Sequence, residues 1–169
     1  MNAKIDLLHD SASLTETTHP ILDADEIFTN AQHYAQQHEL NFSGSIHPID
    51  AWQLVQLDRA ILVDVRTNEE RKFVGYVSES VHIPWATGTA FNRNPRFIKE
   101  LETKVGKDQN ILLLCRSARR SALAAEAAFN AGFKHIYNVL EGFEGDLNQS
   151  LQRNQSNGWK THHLPWQQD

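Results

Sequence analysis

The chain has a single cysteine, Cys115, among 169 residues, so no internal disulfide can form and the thiol is either a packed core residue or a reactive group. It also lacks a long apolar run: no stretch approaches the roughly 20 residues that a membrane-spanning helix requires. Met1 to Leu40 is interrupted throughout by Asp, Glu, His, Gln and Thr, so no run there resembles the apolar segment of a secretory leader. A basic excess is missing too. Lys and Arg number 16 against 21 Asp and Glu, for a formal net charge of −5, and a surface that tracks nucleic-acid phosphates would show the opposite balance. Internal repeats and low-complexity tracts are absent. These absences predict a cytoplasmic chain with neither a nucleic-acid nor a membrane partner, in which any anion site is local.

What is present suits one core. An apolar content of 40% over this length can fill a single globular domain and little more. The first twenty residues, with Ser11, Ser13, Thr15, Thr17 and Thr18, read as a poorly packed arm. From Asp23 to Leu40, Ile27, Phe28, Ala31, Tyr34 and Ala35 recur at helical spacing and predict an amphipathic helix. Asn41-Phe42-Ser43-Gly44 follows as a linker-like break. The expected organisation is therefore an N-terminal arm and helix over 1–44 and a main domain over 45–169, with the helix packed back on its own domain.

In that domain Pro48 opens a short helix carrying Ile49, Trp52, Leu54 and Val55. Three compact apolar runs, Ile61 to Val65, Ile111 to Leu114 and His135 to Leu140, are too short for helices and rich in branched residues. They predict strands, and continuous apolarity implies cover on both faces. The alanine-rich segment from Ser121 to Ala131, stopped by Gly132, predicts a helix between the last two. Strand, loop, helix, strand is a parallel crossover unit, so the fold class is α/β with a mainly parallel central sheet.

Cys115 falls at the carboxyl end of the second strand and just before that helix, at the sheet edge where ligand chemistry concentrates. Free amides and the positive dipole end of the helix would favour a thiolate there. Arg116, Arg119 and Arg120 add cations suited to an anionic ligand, with one or two of them facing the site. A lone cysteine closing an apolar strand is more often a small core hydrophobe. The arginines, the strand end and the following helix reverse that balance.

Cys115-Arg116-Ser117-Ala118-Arg119-Arg120-Ser121 resembles the active-site loop of the rhodanese-like, or thiosulfate sulfurtransferase, family. Leu62-Val63-Asp64-Val65-Arg66 with Glu69 and Glu70 is similar to a further family motif, as are Val81-His82-Ile83-Pro84, Val139-Leu140-Glu141-Gly142, Gly158-Trp159 and Leu164-Pro165-Trp166. The resemblance runs from about Ile46 to Trp166. It implies a rhodanese-like three-layer sandwich, here with an N-terminal helical extension. It also implies that Cys115 is the catalytic nucleophile and that Arg116, Ser117, Ala118, Arg119 and Arg120 bind substrate. The implied activity moves a sulfane sulfur from thiosulfate or a persulfide donor to a thiol, free or on a protein, or to cyanide, with no metal or organic cofactor.

Three departures stand out: Ala118 where the family often has glycine, Gly75-Tyr76-Val77 in place of Gly-His-Ile, and an insertion from Glu144 to Asn157. Two rival activities are weighed. A cysteine-dependent phosphatase loop needs an arginine six places after the cysteine, and Ser121 stands there. A non-catalytic sulfur-carrier or interaction module is the other, argued from Ala118 and the N-terminal helix. Asp64, Arg66 and Glu70 are read as structural pairs at a strand end. His33, His38, His162 and His163 are read as solvated surface, lacking metal-ligand spacing. Trp52, Trp159 and Trp166 are packing residues, and Trp85 a candidate pocket wall.

Overall fold

The structure is a computed structural model describing residues 20–169. All but the last residue of the N-terminal arm lies outside them. The described chain runs α1 (Ala24–Gln37), β1 (Gly44–Ile46), α2 (Pro48–Gln56), β2 (Ile61–Asp64), α3 (Asn68–Val74), β3 (Val81–His82), β4 (Ala86–Thr87), β5 (Asn92–Arg93), α4 (Phe97–Lys104), β6 (Asn110–Leu114), α5 (Arg119–Asn130) and β7 (His135–Val139). Five strands form one parallel sheet in the order β1-β7-β6-β2-β3, and β4 pairs with β5 in a small antiparallel ribbon.

Alternation along the central strand divides the core. Leu112 and Leu114 of β6 pack with α1, α2, Phe143 and Trp159 on one face, while Ile111, Leu113 and Cys115 pack with α4 and α5 on the other. Residues two apart on a strand share a face, so Cys115 is directed to the α5 side. The result is the expected three-layer α/β sandwich.

The predicted helix at the N-terminus is α1, opened by Asp23, whose side chain accepts from the Glu26 amide at 2.8 Å, as a helix cap does. It packs on its own sheet. Ala24, Ile27 and Ala31 are buried in the same cluster as Leu112, Tyr137 and Val139. Ile27 is only 2% exposed, so Ile27→Ala is expected to cost about 2–5 kcal/mol through lost burial and the cavity left behind. Urea unfolding of the full chain checks this, and an unchanged midpoint would mean that α1 is not a layer of this core.

The linker reading of Asn41 to Gly44 is overturned. Phe42 is buried, Ser43 Oγ donates to the Lys134 carbonyl and accepts from the Ile136 amide at 2.9 Å, and Gly44 opens strand β1. The polar residues that suggest a break are here tied to the domain, Ser43 to β7 and Asn41 to Glu126 of α5. Glycine is required at 44, because φ is +145° and a Cβ would meet the Ala31 carbonyl oxygen, an approach open only to a residue without a side chain. The insertion from Glu144 to Asn157 contains no helix or strand and is held by local bonds, among them Arg153 Nη1 to the Gly145 carbonyl at 2.6 Å.

Candidate active site

β6 ends at Leu114, the chain turns through Cys115 to Ala118, and α5 begins at Arg119. The opening amides of a helix have no intrahelical acceptor, and those of α5 follow Cys115 closely in the chain. The turn rests on the segment after β7: the Phe143 amide donates to the Cys115 carbonyl at 2.8 Å and the Glu144 amide to the Arg116 carbonyl at 3.0 Å. Gly142 makes that approach possible. Its φ is +71°, and a Cβ would sit 2.6 Å from the Arg116 carbonyl and the Ser117 amide nitrogen, so only glycine fits.

Cys115 is 1% exposed. A cavity of about 200 Å³ reaches it, lined by Phe91, Cys115, Arg116, Ser117, Arg119 and Arg120. Of the residues expected to bind substrate, Ala118 does not line this cavity. Trp85 is not its wall either: Trp85 packs edge-on against Phe97 and lies under the Arg93 guanidinium. The aromatic wall is Phe91, in the turn between β4 and β5. Its signal in the sequence is one large apolar residue within a polar, glycine-containing stretch.

The three arginines do different things. Arg120 makes a two-pronged pair with Glu70, at 2.7 and 2.6 Å, and its guanidinium lies 4.9 Å from the Phe91 ring centre. Burial works to raise the Glu70 pKa, but hydrogen bonds from Arg120 and from the Thr67 amide, with the Arg120 charge, bring it below the usual value, since both favour the ionised form. Burial likewise opposes the Arg120 charge and Glu70 more than restores it, so the Arg120 pKa is raised. Arg119 is exposed, and the Nε of Arg116 is buried without a hydrogen-bond partner. Arg116 and Arg119 are the cations on this cavity not committed to Glu70.

Two further side chains escaped the sequence reading. Ser121 Oγ lies 3.1 Å from Cys115 Sγ and 2.6 Å from Asn138 Oδ1. A hydroxyl has one proton, so Ser121 can donate to the sulfur only when Asn138 does not hold it. Both are buried, at 0% and 5% exposure.

Glu70 is placed by the β2 edge. Asp64 and Arg66, both fully buried, pair through Arg66 Nε at 3.0 Å and Nη2 at 2.8 Å, and Arg71 Nη1 reaches the same carboxylate at 2.8 Å. Arg66 also donates to the Gly75 carbonyl and lies 3.9 Å above the Phe143 ring. α3 starts in a capping box between Thr67 and Glu70, which satisfies two amides at the helix start. The structural reading of Asp64, Arg66 and Glu70 matches these contacts.

Ala118 has φ +65° and ψ −9°. The left-handed conformation costs a residue bearing a Cβ about 1–2 kcal/mol, which is why glycine suits this position. Ala118→Gly is therefore expected to be neutral to stabilising by up to about 1 kcal/mol, the relieved strain being partly offset by chain entropy. Ala118→Val, β-branched at positive φ, is expected to lower stability and distort the loop. Thermal melts of both variants check this. Equal melting temperatures would mean that the loop relaxes to another conformation.

A rhodanese-like domain model matches residues 47–149, and the chain belongs to that family. An uncharacterized protein of Rickettsia conorii is 38% identical over 119 residues, covering 68% of this chain and 88% of its own. A thiosulfate sulfurtransferase of Arabidopsis thaliana chloroplasts is 28% identical over 83 residues, 48% of this chain and 68% of that protein. Among solved structures, one from M. tuberculosis is 40% identical with a TM-score of 0.67, over 74% of this chain and 97% of that one. The family thus includes sulfurtransferases. No helix among the described residues is long and apolar enough to cross a membrane.

Proposed function

We propose that the protein is a sulfurtransferase that carries a sulfane sulfur on Cys115. The observation that carries this reading is the meeting of Cys115, Arg116, Ser117, Arg119 and Arg120 around one small cavity at the start of α5. In the first half-reaction the Cys115 thiolate attacks the outer sulfur of thiosulfate. The sulfur–sulfur bond of the donor breaks, and sulfite leaves with the bonding electron pair. In the second, cyanide or an acceptor thiolate attacks the outer sulfur of the persulfide, and the Cys115 thiolate is released. Two covalent half-reactions give ping-pong kinetics.

The loop amides act as an oxyanion hole does, stabilising charge on the outer sulfur while it is transferred. Arg116 and Arg119 orient the anionic donor; Arg120, tied to Glu70, holds the cavity wall; Ser117 and Ala118 shape the turn. The resemblance to a named thiosulfate sulfurtransferase supports thiosulfate as a donor. A cytoplasmic setting, with a small or protein thiol as acceptor, completes the proposal. Near-complete burial of Cys115 favours a second reading, a sulfur carrier or interaction module with little turnover. Thiocyanate formation from thiosulfate and cyanide separates them. Parallel reciprocal plots at varied donor support transfer, and a rate no greater than the uncatalysed reaction supports the carrier or module.

A further inference from the structure

Away from the thiol, the same sheet edge brings together three residues far apart in sequence. His47 follows β1 and opens α2, Glu141 follows β7, and His162 lies in the C-terminal turns. Glu141 Oε1 is 2.9 Å from His47 Nε2 and its Oε2 is 2.7 Å from His162 Nε2. The imidazole centres are 4.7 Å apart, edge to face. We propose that His47, Glu141 and His162 form a binding site for a divalent transition-metal ion of the zinc type.

The donor chemistry fits. Two imidazole nitrogens and one carboxylate, with the fourth position open to solvent, form a standard three-ligand zinc set. The donor atoms lie within 4.8 Å of one another. A tetrahedral ion with bonds of about 2.0–2.1 Å needs its donors about 3.4 Å apart, so the histidine contacts with Glu141 would open as the ion enters. Side-chain exposures of 30% at His47, 18% at Glu141 and 24% at His162 leave the path for entry that a metal site needs. The carboxylate is already oriented: Glu141 Oε2 accepts from the Gly158 amide at 2.8 Å, the kind of outer support that metal ligands carry.

The site bears on the rest of the molecule. Glu141 precedes Gly142, which supports the cysteine turn, and the Trp159 amide donates to the Gly142 carbonyl at 2.8 Å. An ion held by all three ligands would clamp the C-terminal segment to that support. It would stabilise the native state by an amount that grows with the logarithm of the free-ion concentration over its Kd.

The test is titration of the full chain with cobalt(II) and with zinc(II), in a Cys115→Ser background so that the thiol takes no part. One equivalent of cobalt should produce the intense visible bands of a four-coordinate ion, zinc should displace it, and zinc should raise the melting temperature. His162→Ala and His47→Ala, each checked for its fold by circular dichroism, should lose both the bands and the zinc-dependent shift. His163→Ala, an exposed neighbour, should keep them. Absence of saturable binding, or binding that persists in folded His162→Ala or His47→Ala protein, would overturn the proposal. Neither result depends on sulfur transfer.

Discussion

Cys115→Ser is expected to reduce thiosulfate-dependent thiocyanate formation to the uncatalysed rate while the fold stays as it is. Serine is nearly isosteric with cysteine, and Ser121 Oγ, 3.1 Å from the sulfur, offers the new hydroxyl a partner. A satisfied hydroxyl at a buried site avoids most of the desolvation cost. What is lost is chemistry, because an alcohol is a poor nucleophile at neutral pH and cannot carry a persulfide. Thiocyanate assays and thermal melts on the same preparation separate the two effects. Transfer that survives in Cys115→Ser would mean that another group carries the sulfur.

The largest effect on stability should come from Asp64. Arg66 is buried at 0% exposure and relies on this carboxylate, which also holds Arg71. Asp64→Asn leaves the guanidinium charge uncompensated and is expected to cost about 3–5 kcal/mol, whereas the joint change Asp64→Leu with Arg66→Met should cost less. Burial works to raise the Asp64 pKa, but the charge and hydrogen bonds of Arg66, with the charge of Arg71, lower it below the ordinary 3.8. A carboxylate with a depressed folded-state pKa contributes fully above its unfolded value and loses that contribution as pH falls through the folded one. Acid destabilisation below about pH 4 should therefore be steeper in the parent than in Asp64→Asn. Urea unfolding across that range checks the sign, and parallel curves would mean that Asp64 is not ionised in the fold.

The elements legible in the sequence are those specified by their own residues. β2 and β6 are dominated by branched apolar side chains, and β7 carries Ile136, Tyr137 and Val139 after the Gly132 stop. α5 is alanine-rich and α1 has a periodic stripe with Asp23 as its cap. The cysteine turn could be read because its residues are contiguous. β1 could not: Gly44-Ser45-Ile46 carries no strand pattern and is a strand because β7 offers it an edge. The same holds for Phe91, for Asn138 beneath Ser121, and for Glu70 opposite Arg120, which are joined only by the tertiary fold. His47, Glu141 and His162 meet in the same way, and the reading of His162 as solvated surface is corrected: it is half-buried and bonded to Glu141.

The central claim is that Cys115 holds a sulfane sulfur, and the intact mass of the full chain after exposure to thiosulfate tests it most directly. The protein should gain the mass of one sulfur atom, lose it on treatment with a thiol reductant or cyanide, and show no gain as Cys115→Ser. An unchanged mass in the parent, or an adduct that persists in Cys115→Ser, would contradict the account.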